Sequence, residues 1–221
     1  MLANLCQAQI HISYLNSSPK IDGKSGDWQG ISMNSFQSKA NTVISKNNAK
    51  YAFGFDEEHL YGIFQVFDKQ LTDLALDKSG SPRIAFNDGI EVYIDAKNDS
   101  QTRMDMSDYQ LIIDLNGNVT VYRGGDRFLL QVDKFKVPKD TITNNFILEI
   151  AAQKSGTINN EKDIDEGYFI EFSLPWASLG ISPAAGTTLK MDVCFNDADK
   201  FLDIKPLSES DPIPDYSYES I

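Results

Sequence analysis

Apolar and polar residues alternate along many short segments of this chain, and this alternation constrains the fold more than any other feature. In the segment GIEVYID, the residues Ile90, Val92 and Ile94 fall on one face. The segments GYFIEFSL, from Gly167, and TLKMDVCFND, from Thr188, alternate in the same way. A period of two is typical of β-strands that bury one face. The chain is therefore predicted to consist mainly of half-buried strands.

Two longer segments predict paired strands. In DYQLIIDLNGNVTVYRGG, two alternating runs flank Asn116-Gly117, and an Asn-Gly pair in this position is a strong signal for a β-hairpin. The segment KYAFGFDEEHLYGIFQVFD carries a turn at Asp56 and apolar residues on both faces of the flanking runs. Strands that are apolar on both faces are covered on both sides. This segment is therefore predicted to supply central strands of a sheet.

Patterns that favour a helix are scarce. One is the short segment 175–180, where a proline starts the turn and a glycine ends it, and another is the segment 68–77. About nine to eleven strands at regular spacing predict an all-β fold, an antiparallel β-sandwich of the jelly-roll or immunoglobulin-like kind, with one or two short helical turns. We expect a single domain over residues 9–202.

The two ends of the sequence differ from its middle. Residues 1–8 are interpreted as the remnant of a secretory signal peptide, cleaved after Ala8, and residues 203–221 as a flexible acidic tail. We therefore expect a secreted protein, extracellular or periplasmic, and leave attachment to the cell surface open. The formal net charge of −12 is unfavourable for the binding of nucleic acid. The sequence has no run of ~18 apolar residues, so insertion into a membrane is not predicted.

The sequence offers little that would support catalysis. The two histidines, His11 and His59, lie near no serine or cysteine nucleophile motif. There is also no glycine-rich phosphate loop, no CxxC motif and no HExxH motif. The sequence therefore indicates no enzyme, and no residue is assigned a catalytic role.

The order of five motifs resembles the family 9 carbohydrate-binding modules and their wider DOMON-like β-sandwich relatives. The motifs are KIDGKSGDW, YAFGFDEEHLYGIFQVFD, NDGIEVYIDAKND, DYQLIIDLNGNV and EFSLPWASLGISPAAGTTLKMDVCFNDAD, and together they span residues 19–200. The resemblance implies a secreted, non-catalytic module that binds a polysaccharide or oligosaccharide. Such modules are often attached to xylanases and other enzymes of polysaccharide degradation.

The resemblance also implies where the sugar would bind. Members of the family clamp a sugar chain between two tryptophans, and this chain lacks a tryptophan at both positions. Phe86 and a tail tyrosine (Tyr216 or Tyr218) are therefore expected in their place. The arginine of the family falls near Ile112. The predicted ligand-binding residues are Phe86, Glu91, Tyr93, Gln110 and Asn196. The tryptophans that the chain does have, Trp28 and Trp176, match structural positions of the family.

A calcium ion is the only cofactor that the sequence suggests. Calcium prefers several oxygen ligands, and two acidic segments after predicted strands offer them. The predicted metal ligands are Asp95, Asn98, Asp99 and Asp197. The alternative for these segments is a solvated acidic loop. The alternative for the whole chain is a diverged structural or interaction domain of a cell-surface protein that has lost sugar binding, and the sequence does not indicate an oligomeric state.

Overall fold

The structure is a computed structural model and describes residues 12–37, 47–73, 80, 83–101, 103–125, 134–137, 146–184 and 186–198. Within these residues the chain forms eleven β-strands in two sheets and no α-helix. It also has three 3-10 turns, at Ser25–Trp28, Ile84–Phe86 and Trp176–Leu179. The predicted all-β antiparallel sandwich is confirmed, with three helical turns where one or two were predicted. The predicted signal-peptide remnant and acidic tail lie outside the described residues.

The larger sheet contains six strands. Five of them follow the order β1-β3-β4-β10-β9, and the sixth, β2, pairs with β3. The strands are β1 (Ser13–Tyr14), β2 (Asn34–Gln37), β3 (Asn48–Phe55), β4 (His59–Phe67), β9 (Glu149–Ser155) and β10 (Gly167–Pro175). Strand β1 runs parallel to β3, whereas the other described pairs of both sheets are antiparallel. We call this the six-stranded sheet.

The smaller sheet contains five strands in the order β11-β5-β6-β7-β8. The strands are β5 (Gly89–Asp95), β6 (Asp108–Asp114), β7 (Val119–Gly124), β8 (Lys134–Lys136) and β11 (Lys190–Asn196). The predicted hairpin joins β6 to β7, and Gly117 takes a φ of 79° in its turn. We call this the five-stranded sheet.

The inward faces of the two sheets form one hydrophobic core. Ile90, Val92 and Ile94 of β5 pack in the same cluster as Ile170 and Phe172 of β10. Full burial of side chains of this size stabilises the fold by about 1.5–3 kcal/mol each. The alternation in the sequence therefore does specify which face of each strand turns inward.

A second, smaller cluster covers the outer face of the six-stranded sheet. Trp28, Ala52, Tyr61 and Ile63 are buried there, and they pack against Leu15, Ile21, Ile31, Met33 and Phe169. Most of these covering residues belong to the segment 15–33 that follows β1. This layer explains why β3 and β4 are apolar on both faces, and it confirms their prediction as central strands.

The two predicted helical segments have different outcomes. The turn Trp176–Leu179 forms as predicted, and Gly180 ends it in the left-handed region at a φ of 67°, with its N–H donating to the Ala177 carbonyl over 3.1 Å. The segment 68–77 was predicted to be helical, but residues 68–73 form no helix. In that segment Asp68 accepts the Gln70 N–H over 2.9 Å, so a local turn replaces the first turn of a helix. Residues 74–77 lie outside the described residues.

Candidate functional site

The outer face of the five-stranded sheet carries the predicted ligand-binding residues. Even-numbered residues of β5 fill the core, so Glu91 and Tyr93 point to the opposite side of the sheet. The register places Glu91 between Cys194 of β11 and Ile112 of β6, and places Gln110 opposite Tyr93. Three neighbouring strands therefore bring residues that are far apart in sequence onto one surface.

Four of the five predicted residues form one hydrogen-bonded cluster centred on Glu91. The Tyr93 hydroxyl donates to Glu91 Oε2 over 2.6 Å, and Gln110 Nε2 donates to the same oxygen over 2.7 Å. Gln110 Nε2 also lies 2.9 Å from the Tyr93 hydroxyl, which accepts from it. Asn196 Nδ2 donates to Glu91 Oε1 over 3.2 Å. We call Glu91, Tyr93, Gln110 and Asn196 the polar cluster.

The polar cluster lies in a largely desolvated part of the face. Glu91 is 1 % exposed, while Tyr93 and Asn196 keep part of their surface open to solvent. Burial raises the pKa of the neighbouring Cys194 thiol to about 12, with smaller contributions from the carboxylates of Asp192 and Glu91. A buried carboxylate surrounded by amide and hydroxyl donors can exchange hydrogen bonds with the hydroxyl groups of a ligand.

Phe86, the fifth predicted residue, is not hydrogen-bonded to this cluster and lies on the 3-10 turn Ile84–Phe86. This turn packs against β6, and Phe86 belongs to neither hydrophobic cluster. The Arg83 guanidinium lies over the Phe86 ring, 3.8 Å from its centroid. Sequence reasoning missed Arg83, although the three-residue spacing of Arg83 and Phe86 across a turn was a signal that could have identified it.

Both tryptophans are buried and hold segments of the fold together, as predicted. Trp28 is 4 % exposed and its Nε1 donates to Glu171 Oε1 over 2.7 Å. Glu171 Oε2 also accepts the N–H groups of Asp22 and Gly23, at 2.9 and 3.0 Å. Trp176 Nε1 donates to the Asp56 carbonyl over 3.0 Å. Trp28 and the preceding IDG motif therefore belong to the packing of the outer layer, and Trp176 contacts the hairpin turn at Asp56. Neither indole lies on the outer face of the five-stranded sheet.

The predicted metal ligands fall at two places. Asp95 ends β5 and its carboxylate accepts the N–H groups of Asp99 and Ser100, at 3.3 and 3.0 Å, while the Asn98 amide donates to Thr188 over 2.8 Å. Asp197 follows β11, whose last residue pairs with the first residue of β5. The structure therefore places Asp95 and Asp197 at opposite ends of the paired strands, roughly 20 Å apart at about 3.4 Å per residue.

Asp197 instead joins two carboxylates that sequence reasoning did not predict. Within the described ranges, Asp68, Asp88 and Asp197 form a group whose ligand oxygens all lie within 4.8 Å of one another. Asp68 follows β4 and Asp88 precedes β5, so three chain segments meet here. The Thr72 N–H donates to Asp88 Oδ2 over 2.6 Å and the Ala198 N–H to Asp88 Oδ1 over 2.7 Å. We call this group the carboxylate trio.

The electrostatics of the carboxylate trio disfavour three ionised groups. Burial raises the pKa of Asp88 well above its ordinary value, and the nearby Asp68 carboxylate raises it further, against two backbone hydrogen bonds that lower it. Asp88 is 0 % exposed and Asp68 is 2 % exposed. Carboxylates brought this close in a buried site are neutralised by protons or by a cation. The predicted residues Tyr216 and Tyr218 lie outside the described residues.

The two packed sheets define a class of protein, the β-sandwich modules. A family model described as "Carbohydrate family 9 binding domain-like" matches residues 20–219, and the chain belongs to this family. The family consists of non-catalytic binding modules, which agrees with the prediction of a binding protein rather than an enzyme. In the part of the chain that the structure describes, none of the helices has the length and apolar character needed to cross a membrane.

Two solved structures and one curated protein are similar to this chain. A family 9 module from Caldicellulosiruptor kristjanssonii in complex with glucose superposes with a TM-score of 0.59 at 20 % identity, covering 86 % of this chain and 79 % of the other. A family 9 module from the same organism in complex with cellotriose superposes with a TM-score of 0.58 at 21 % identity. The match covers 86 % of this chain and 77 % of the other. The endo-1,4-beta-xylanase A of Thermoanaerobacterium saccharolyticum is 27 % identical over 186 residues, which cover 82 % of this chain and 13 % of the xylanase.

Proposed function

We propose that the polar cluster is the saccharide-binding site of this module and that its ligand is a neutral oligosaccharide of the cello- or xylo- type. The observation that carries the proposal is the set of donors and acceptors around the Glu91 carboxylate. Relatives supply supporting context, since the C. kristjanssonii module is in complex with glucose and cellotriose and the similar curated protein is a xylanase.

The chemistry of the cluster fits a diol. A sugar presents neighbouring hydroxyl groups that each donate and accept, and Glu91 accepts while the amides of Gln110 and Asn196 donate. The donors that now contact Glu91 belong to side chains, so a sugar hydroxyl can replace one of them without loss of a backbone hydrogen bond. The half-buried Tyr93 ring adds an apolar surface beside these groups.

Titration of the purified protein with cellotriose and xylotriose, followed by isothermal calorimetry, tests this proposal. We expect saturable binding that Glu91→Gln weakens. Glu149→Gln, an exposed change of the same kind on β9, is the matched control and should bind as the unaltered protein does. Absence of binding to either trisaccharide at millimolar concentration would contradict the proposal and favour a structural or interaction domain.

We further propose that the protein is secreted as part of a system that degrades polysaccharides and that it binds a calcium ion at the carboxylate trio. The support for calcium is the donor set, because three carboxylates offer the hard oxygen ligands that this ion prefers. Bound there, calcium would offset two of the three negative charges of Asp68, Asp88 and Asp197. It would also hold together the end of β4, the start of β5 and the end of β11. The alternative loop of Asp95, Asn98 and Asp99 stays a prediction.

A further inference from the structure

Arg83 is placed in an unusual environment for a basic residue of an acidic chain. The sequence holds 32 acidic residues and 20 basic ones. Arg83 is nevertheless half-buried against an aromatic ring rather than against a carboxylate, with its guanidinium 3.8 Å from the Phe86 centroid. Stacking of this kind uses the flat face of the guanidinium and leaves the N–H groups at its edge.

Among the residues that the structure describes, Arg83 has no hydrogen bond and no ion pair with another side chain, and its contact is the stack on Phe86. A guanidinium has five N–H donors in a rigid fork that matches the two oxygens of a carboxylate. A group of this shape that is held by stacking is prepared for an acidic ligand.

Backbone hydrogen bonds of Phe86 and Asp88 fix the turn that presents Arg83. The Phe86 N–H donates to the Arg83 carbonyl over 2.8 Å and closes the turn. Directly after it, the Asp88 N–H donates to the Thr72 carbonyl over 3.0 Å, and the Asp88 carbonyl accepts the Leu115 N–H over 2.8 Å. The turn also packs against β6, the strand that supplies Gln110 to the polar cluster. The turn therefore lies beside the strand that supplies Gln110, at the end of the sheet where β5 begins and Gly89 pairs with Asp114.

We propose that Arg83, supported by Phe86, is a specificity-determining residue that binds the carboxylate of a uronic acid next to the neutral sugar held by the polar cluster. The ligand class is then an acidic oligosaccharide, such as a xylo-oligosaccharide with a glucuronic acid substituent. This inference rests on the proposed function, because it takes the polar cluster as the site of the neutral sugar.

The net charge of −12 does not oppose this selectivity. Charges on a protein surface are largely screened beyond about 8 Å at physiological ionic strength, so the local guanidinium decides the contact. The one carboxylate of the polar cluster, that of Glu91, already accepts three hydrogen bonds from the protein. A bidentate pair with Arg83 therefore adds a contact that a neutral sugar does not make.

The test compares two probes by calorimetry, xylotriose and xylotriose that carries a glucuronic acid substituent. We expect the unaltered protein to bind the acidic probe more tightly. Arg83→Gln should lower the ratio of the two affinities by roughly 10- to 100-fold, the range expected for one charge-assisted pair. Arg83→Lys, which keeps the charge without the fork, should lower this ratio by less. Phe86→Leu should also lower the ratio because the guanidinium loses its support.

Two controls separate this inference from the function on which it rests. Arg103→Gln removes the same charge from the loop after β5 and should leave the ratio unchanged. If xylotriose binds in a Glu91-dependent way but Arg83→Gln leaves the ratio at its original value, the inference is overturned and the proposed function stands. If neither probe binds, or if Glu91→Gln has no effect on xylotriose, the proposed function itself is wrong and the inference is overturned with it.

Discussion

The two sheets each bury one glutamate on their outer face, and the two glutamates have different surroundings. Glu171 of the six-stranded sheet accepts two backbone N–H groups and the Trp28 indole. Glu91 of the five-stranded sheet accepts a hydroxyl and two side-chain amides. Both are almost fully buried, at 0 % and 1 % exposed. The same type of residue, at the same depth, therefore has two different sets of donors.

The difference lies in the donors. Backbone N–H groups and an indole packed in a hydrophobic cluster cannot turn away, so the Glu171 contacts are permanent and fasten the segment 15–33 to the sheet. Hydroxyl and amide donors on side chains can rotate, so the Glu91 contacts are exchangeable. A buried carboxylate bound by fixed donors indicates a structural role, whereas one bound by movable donors indicates a ligand site. The predictions below test this distinction.

The largest expected effect is on stability, at Glu171. Glu171→Gln replaces one acceptor oxygen with an amide that faces N–H donors, so we expect a loss of about 3 kcal/mol or more in the free energy of unfolding. Urea denaturation measures this loss. Glu149→Gln on the neighbouring strand β9 is the control and should change stability by less than about 0.5 kcal/mol. A loss at Glu171 no larger than at the control would contradict the structural role.

The corresponding change in the five-stranded sheet should affect binding more than stability. Glu91→Gln should weaken trisaccharide affinity by roughly 10- to 100-fold, because it removes charge-assisted hydrogen bonds to sugar hydroxyls. Its cost in stability should be about 1 kcal/mol, since the donors around it can reorient. Calorimetry and urea denaturation on the same sample give both values. If stability falls as far as in Glu171→Gln while affinity is unchanged, the two glutamates are equivalent and the distinction fails.

The carboxylate trio extends the comparison to carboxylates whose oxygens lie within 4.8 Å of one another. Calcium at about 100 times its dissociation constant should stabilise the protein by ~2.7 kcal/mol, which is roughly 5–10 °C in melting temperature for a domain of this size. Removal of calcium with a chelator should reverse this shift. Melting curves of the unaltered protein, Asp197→Asn and Asp99→Asn, each with and without calcium, test which carboxylates bind the ion.

Asp197→Asn should reduce the calcium-dependent shift, whereas Asp99→Asn, in the loop after β5, should leave it unchanged. The opposite outcome would assign the ion to the loop of Asp95, Asn98 and Asp99. A melting temperature that does not respond to calcium in any of the proteins would contradict a structural calcium ion.

The smallest expected effect concerns Asp56, a carboxylate with fixed and movable donors together. Burial alone would raise its pKa, but hydrogen bonds from the Tyr61 hydroxyl, the Glu58 N–H and other donors outweigh burial and lower the pKa from 3.8 to about 2. A pKa lowered by folding means that the stabilisation is present above pH ~4 and is lost as the pH falls towards 2. Urea denaturation between pH 5 and pH 2.5 should show a shallower loss in Asp56→Asn than in the unaltered protein. Equal slopes would contradict the lowered pKa.

Much of the fold could be predicted because strand patterns are local. The alternation at Ile90, Val92 and Ile94 identified the buried face of β5, and the Asn-Gly pair identified the hairpin of β6 and β7. The outer layer over the six-stranded sheet could not be predicted in detail. Ile21, Trp28 and Ile31 have no periodic spacing, and their packing partners on β4 and β10 are distant in sequence.

The candidate site was predictable where a family motif marks it and not elsewhere. Four residues of the polar cluster were predicted, and the register brings them together. Asp68 and Asp88 were missed as partners of Asp197 because their proximity arises only when the end of β4, the start of β5 and the end of β11 come together. Arg83 was missed because its role depends on a stack that forms in a non-repetitive turn.

The hydrogen bonds that Glu171 accepts from Asp22, Gly23 and Trp28 also have a consequence for how the chain folds during its synthesis. Asp22 and Glu171 are 149 residues apart, so the N-terminal segment leaves the ribosome long before its acceptor exists. At about 5–20 residues per second, this delay is on the order of ten seconds or more. During that time the apolar outer faces of β3 and β4 have no partner strand β10 and no carboxylate to complete the layer. The outer layer over the six-stranded sheet is therefore completed only late in the synthesis of the chain.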